Sequence, residues 1–134
     1  VEQRKLPKDF YSLMETFVKH YYHKLRQWGY QIEAVQKPIV YYFLNDFVGC
    51  LENIFFSSEY QSGKERMEAV KALRHARLVG YMLKQERTVG RYARIVLALF
   101  EKKHYMLMGL VIKVKILLKV RLYKLFQMIK KVAN

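Results

Sequence analysis

Acidic residues are scarce in this chain. Eleven Asp and Glu stand against twenty-five Lys and Arg, for a formal net charge of +14. Cysteine is rarer still: Cys50 is alone in an apolar run, which excludes a disulfide framework and points to a reducing, cytoplasmic location. Long hydrophobic runs are missing too. The longest uncharged apolar stretch near the end, Tyr105 to Ile112, is far short of the roughly 20 residues a membrane span needs. No signal-peptide pattern opens the sequence. Phosphate-cradling and nucleophile motifs are also absent: no G-x-x-x-x-G-K-[ST], no G-x-G-x-x-G and no G-x-S-x-G occurs.

What is present is a folded, cationic chain. Hydrophobic content of 52% with 15% aromatics argues against disorder, and 134 residues suit one domain with its own core. The charge is polarised. From Arg91 to Asn134 there are eleven Lys and Arg and one acid, Glu101, whereas Gln31 to Ser62 holds one Lys and four acids. A surface that cationic repels itself, and it points to a bound polyanion: nucleic acid, anionic lipid or an acidic protein.

Apolar spacing predicts four helices, at about 7–28, 38–56, 63–85 and 89–126. In the first, Phe10, Leu13, Met14, Phe17, Val18, Tyr21, Leu25 and Trp28 recur at three- and four-residue steps, and Pro7 suits the opening turn. Gly29 ends it and Pro38 opens the second. That helix is apolar over about half its circumference, from Ile39 and Val40 to Leu51 and Ile54, so it needs neighbours on two sides, within a bundle or at a subunit interface.

Ser62-Gly63-Lys64-Glu65 reads as a capping box for the third helix, with Ala69, Leu73, Ala76, Gly80 and Leu83 as a narrow face. Thr88 is the expected cap of the fourth, whose basic extension alternates charge with aliphatic residues beyond Ile112 and is read as continuing helix. The expected fold class is all-α, an antiparallel up-down four-helix bundle with a basic C-terminal extension.

Bundles of this kind can hold di-iron sites. Only Glu101-Lys102-Lys103-His104 matches the required Glu-x-x-His, and two pairs are needed. No metal, cofactor or enzymatic activity is expected. Basic–aromatic segments carry more. Lys19 to Arg26 interleaves cations with Tyr21 and Tyr22; with Tyr21 in the apolar stripe, Tyr22 is the candidate for base stacking. Arg87, Arg91 and Arg94 follow i, i+4, i+7 spacing, and Arg74 with Arg77 makes a shorter row. Arginine forks match phosphate oxygens. With Lys113, Lys115, Lys119 and Arg121 on the tail, these are the candidate nucleic-acid-binding residues.

Helix order, size and charge resemble the accessory variability determinant proteins of diversity-generating retroelements, over about Tyr11 to Lys113. Leu73-Arg74 and Arg77-Leu78 are similar to that family's Leu-Arg and Arg-Leu pattern in its third helix. Where the family commonly ends in Ile-Gly-Arg followed by Gly and Trp, this chain reads Met108-Gly109-Leu110-Val111 with no later Trp. The resemblance implies a non-enzymatic homopentamer that binds template RNA and assists a reverse transcriptase in mutagenic cDNA synthesis. It makes Arg74 and Arg77 the foremost functional residues. The alternative is a peripheral membrane protein that binds anionic lipid through Tyr105 to Lys131. Against it stand a bundle for helix 4 to pack on and cations spread around the tail, so a membrane is not the expected partner.

Overall fold

The computed structural model describes residues 9–85 and 88–133. Among these residues it contains six helices and no strand: α1 (Phe10–Gln27), α2 (Ile32–Phe56), α3 (Gly63–Arg74), α4 (Arg77–Leu83), α5 (Arg91–Glu101) and α6 (Tyr105–Ala133). The all-α expectation holds. Pro7 lies outside the described residues, so the expected start of the first helix does too.

α2 is the axis of the molecule. It packs against α1, α3, α4, α5 and α6, which accounts for the breadth of its apolar face. Nine of its residues are buried, among them Phe43, Leu44, Phe47 and Leu51. Phe47 is the aromatic hub: its ring lies 5.2 Å edge-on from Phe100, 6.3 Å stacked from Phe43 and 6.2 Å edge-on from Tyr11. Each such side chain contributes about 1.5–3 kcal/mol by leaving water. Most of the breadth of α2 is therefore taken up inside one chain, with Tyr41 and Tyr42 left exposed. α2 also begins at Ile32, six residues before its expected start at Pro38. The proline sits inside the second turn, where its missing N–H leaves the Ala34 carbonyl without its usual i+4 donor.

α1 turns a different face inward than the single stripe predicts. Met14 and Leu25 are buried, with Tyr11, Val18 and Tyr22 packed beside them, while Leu13, Phe17, Tyr21 and Trp28 are exposed. Two apolar rows one residue out of phase share this helix, and α2 covers only one of them. At the far end, Gly29 takes φ +79°, and Tyr30 N–H and Gly29 N–H donate to Leu25 O and Arg26 O, closing a Schellman turn.

The third and fourth expected helices are each interrupted. α3 opens with Ser62 Oγ accepting from Glu65 N–H at 3.1 Å, but the Glu65 carboxylate returns to Gln61 N–H, one residue before the cap. α3 stops at Arg74, and Ala76 adopts an extended ψ of 125° before α4 begins. α5 is preceded by Gly90 as its N-cap, not by Thr88, and no side chain caps it.

Between α5 and α6, Lys103 has φ 63°, the one described non-glycine residue in the left-handed region. His104 N–H donates to Leu99 O and Lys103 N–H to Phe100 O, so a second Schellman turn ends α5 without a glycine. A Cβ in that conformation costs about 1–2 kcal/mol. Lys103→Gly should therefore stabilise the fold by about 0.5–1 kcal/mol, read as a higher urea midpoint, after allowance for the freer unfolded chain. A lower midpoint would contradict the turn geometry.

α6 returns along α5 and α2. Its closest approach is at Gly109, where an added Cβ would lie 2.6 Å from Phe55 Cε1 and 3.0 Å from Cζ. Phe55 is itself buried and has little room to swing. Gly109→Ala should lose about 1–2 kcal/mol in chemical denaturation, the overpacking outweighing alanine's better helix propensity. Equal or greater stability would show that the α2–α6 contact yields freely. Past Ile116 the packing ends: residues 117–133 continue the helix with every side chain exposed.

Candidate nucleic-acid interface

α4 is short, and its packing fixes which way its cations point. Val79 and Met82 are buried, with Leu78 and Leu83 packed beside them. That leaves Arg77, Tyr81 and Lys84, at i, i+4 and i+7, as one exposed row. Tyr81 is held in place: its hydroxyl accepts from Gln36 Nε2 at 3.0 Å, and Gln36 Oε1 accepts from the Tyr22 hydroxyl at 2.8 Å. One hydrogen-bonded chain thus ties α1, α2 and α4 beneath the row.

Burial pushes the Tyr22 hydroxyl up to about 12, the Tyr81 hydroxyl adding to the rise and the nearby Arg26 cation opposing it. Tyr22 consequently remains a neutral donor at physiological pH. Arg26 lies one turn along from Tyr22 and is exposed, bringing another cation to this end of the molecule. A phosphate chain laid along Arg77 and Lys84 would meet a ring already fixed between them, suited to stacking on a base.

The site differs from the sequence expectation in its aromatic member. Tyr22 is packed and hydrogen-bonded, whereas Tyr21 is exposed and stacked on Phe17 at 6.3 Å. Tyr81 and Lys84 were left out of the expected set, although their spacing from Arg77 marks them in the sequence.

The expected cations divide into three groups. Arg77, Arg91, Arg94, Lys113, Lys119 and Arg121 are exposed. Arg77, Arg91 and Arg94 have no acidic partner among the described residues. On α5 the buried Ala93, Val96, Leu97 and Phe100 force Arg91 and Arg94 outward.

Arg74 and Lys115 are committed to the fold. Arg74 Nη1 donates to both Phe100 O and Glu101 O at 2.9 Å, capping the C-terminus of α5. These bonds make it a clamp on the α5 C-terminus, which sets it apart from the exposed cations of the expected phosphate-binding set. Lys115 sits 3.9 Å above the Tyr92 ring and 3.6 Å from Glu52, so its charge is partly answered within the chain. Arg87 lies outside the described residues, and with it the i, i+4, i+7 row; Arg91 and Arg94 remain as an i, i+3 pair.

No three His, Cys, Asp or Glu side chains cluster among the described residues. His104 is exposed beside the α5–α6 turn. Cys50 is buried, and its thiol is pushed up to about 12 by that burial and by Asp46, far from nucleophilic at neutral pH. Among the described residues the arrangement sets exposed cations beside a hydrogen-bonded tyrosine ring. No protein-family model, curated protein or solved structure matches the chain.

Proposed function

We propose that this protein is a non-enzymatic nucleic-acid-binding accessory that oligomerises and assists a reverse transcriptase in RNA-templated, mutagenic cDNA synthesis. The observation that carries the binding reading is the Arg77–Tyr81–Lys84 row, with its ring tied to Gln36 and Tyr22, together with Arg91 and Arg94 exposed on α5. Its chemistry is that of phosphate holding with sequence-tolerant stacking. The family resemblance supplies the polymerase and the template. The all-helical fold is compatible with the helical bundle that the resemblance implies. An oligomer would multiply the +14 of each chain and hold a structured RNA by many weak contacts at once.

Binding to RNA should weaken steeply with salt. With about six phosphates neutralised, log K should fall against log salt with a slope of roughly −4 to −5. Filter binding of an unstructured and a structured RNA across about 50–300 mM salt measures it. A flat response would reject phosphate contacts as the source of affinity. In the same system, cDNA synthesis by the cognate polymerase should depend on this protein; undiminished synthesis without it would reject the accessory role.

A further inference from the structure

α6 carries an apolar stripe on the side turned away from the described body. Met108, Gly109 and Ile112 are buried and mark the side turned inward. On the opposite side Leu107, Leu110, Val114, Leu118, Leu125 and Met128 follow one another at helical steps, and the line ends at Val132. Each is between 47% and 88% exposed. Beyond the body, Leu122 and Ile129 widen the stripe. At 1.5 Å per residue it runs for about 40 Å, longer than a scatter of surface apolar groups would produce.

The charges around this stripe select its occupant. α6 holds seven Lys and Arg and no acid. Lys113, Lys124 and Lys131 border the stripe on one side and Arg121 is the single charge within it, while Lys119 and Lys130 fall on the opposite side of the helix. A second α6 laid against the first would set Arg121 and the bordering lysines against like charges, with nothing on either helix to neutralise them. A sheet of anionic headgroups answers Arg121 and the bordering lysines. Lysine stems lie along apolar surface and lift their ammonium groups to the phosphates, and arginine does the same from within the stripe.

We infer that α6 docks lengthwise on an anionic phospholipid bilayer, its stripe in the acyl boundary and its lysines at the lipid phosphates. The packing that argued against a membrane surface stops at Ile116, and the stripe lies opposite to it. This face is separate from the α4–α5 surface proposed for nucleic acid, so the two activities are separable by substitution.

The test uses the whole chain with vesicles of phosphatidylcholine alone and with about a third phosphatidylglycerol. Partitioning should be at least ~10-fold stronger onto the anionic vesicles. Leu118→Glu with Leu125→Glu, at exposed positions, should lower it by ~10-fold or more while leaving circular dichroism and RNA affinity unchanged. Arg77→Glu with Arg91→Glu and Arg94→Glu should leave vesicle binding within about threefold. In a separate Leu125→Trp, Trp28→Phe protein, emission should shift to the blue on adding anionic vesicles only.

Equal binding to neutral vesicles, or undiminished binding by the double glutamate variant, would overturn the inference. So would a solution dimer that those glutamates dissociate and that ignores vesicles, since a second copy would then cover the stripe. A loss of RNA affinity in the glutamate variant would assign the stripe to nucleic acid instead.

Discussion

Reversing the charge at Arg77, Arg91 and Arg94 together should lower RNA affinity by more than ~100-fold at about 100 mM salt. A unit charge about 4 Å from a phosphate is worth about 1 kcal/mol in water, and reversal replaces that attraction with a comparable repulsion. Three sites then amount to about 3–5 kcal/mol after screening, where each 1.4 kcal/mol is about tenfold. All three side chains are exposed and lack acidic partners among the described residues, so the fold should be indifferent to the change. The decisive comparison is a binding isotherm beside a melting curve. Affinity within about threefold of the native protein, with unchanged melting, would remove these residues from the interface.

Arg74 should behave in the opposite way. Arg74→Ala strips two hydrogen bonds from the last carbonyls of α5 and leaves Phe100 O and Glu101 O facing the α5–α6 turn without that donor. Charge-assisted bonds of this kind are worth about 1.5–3 kcal/mol, and Arg74 is only half-buried, so a total loss of about 2–3 kcal/mol is expected. For a domain of this size that lowers Tm by about 10 °C. Arg74→Lys can place one donor but not the fork, and should recover about half of the loss. RNA affinity below the melting transition should stay near native. An Arg74→Ala protein that melts with Arg77→Ala would exclude the clamp.

These two residues show where the sequence is readable and where it is not. Leu73-Arg74 and Arg77-Leu78 look alike as text: a cation beside a leucine on a helix. What separates them is the end of α5, more than twenty residues away, whose carbonyls reach Arg74 and not Arg77. No local pattern encodes that. The break between α3 and α4 belongs to the same blind spot, because neither proline nor glycine marks His75 and Ala76. Lys103 is harder still, since its left-handed turn uses a residue type that normally avoids that conformation.

By contrast, features set by near neighbours were legible. Ser62 and Glu65 form their cap because both partners lie within four residues. The apolar periodicity of α2 announced its burial. α1 was half-readable: its apolar residues were evident, but Val18 and Tyr22 face inward while Phe17 and Tyr21 do not, and only the position of α2 chooses between those phases. Of the candidate interface, the exposed cations of α5 stand out through the scarcity of acids around them, whereas Tyr81, which spacing sets off the apolar face, is marked as a fixed ring only by its bond to Gln36 on α2.

The free half of α6 has a thermodynamic consequence of its own. Residues 117–133 are held by their i→i+4 bonds alone, and an isolated helix of about 17 residues is only marginally stable in water. Its amide hydrogens should exchange through local fraying within seconds, whereas those around Phe43 and Phe47 on α2 open only when the whole core does. The molecule therefore presents two separate unfolding units on one continuous helix, with Ile116 as their border. Whatever binds the outer unit must also suppress that fraying, and the strength of the binding will be discounted by the order it imposes.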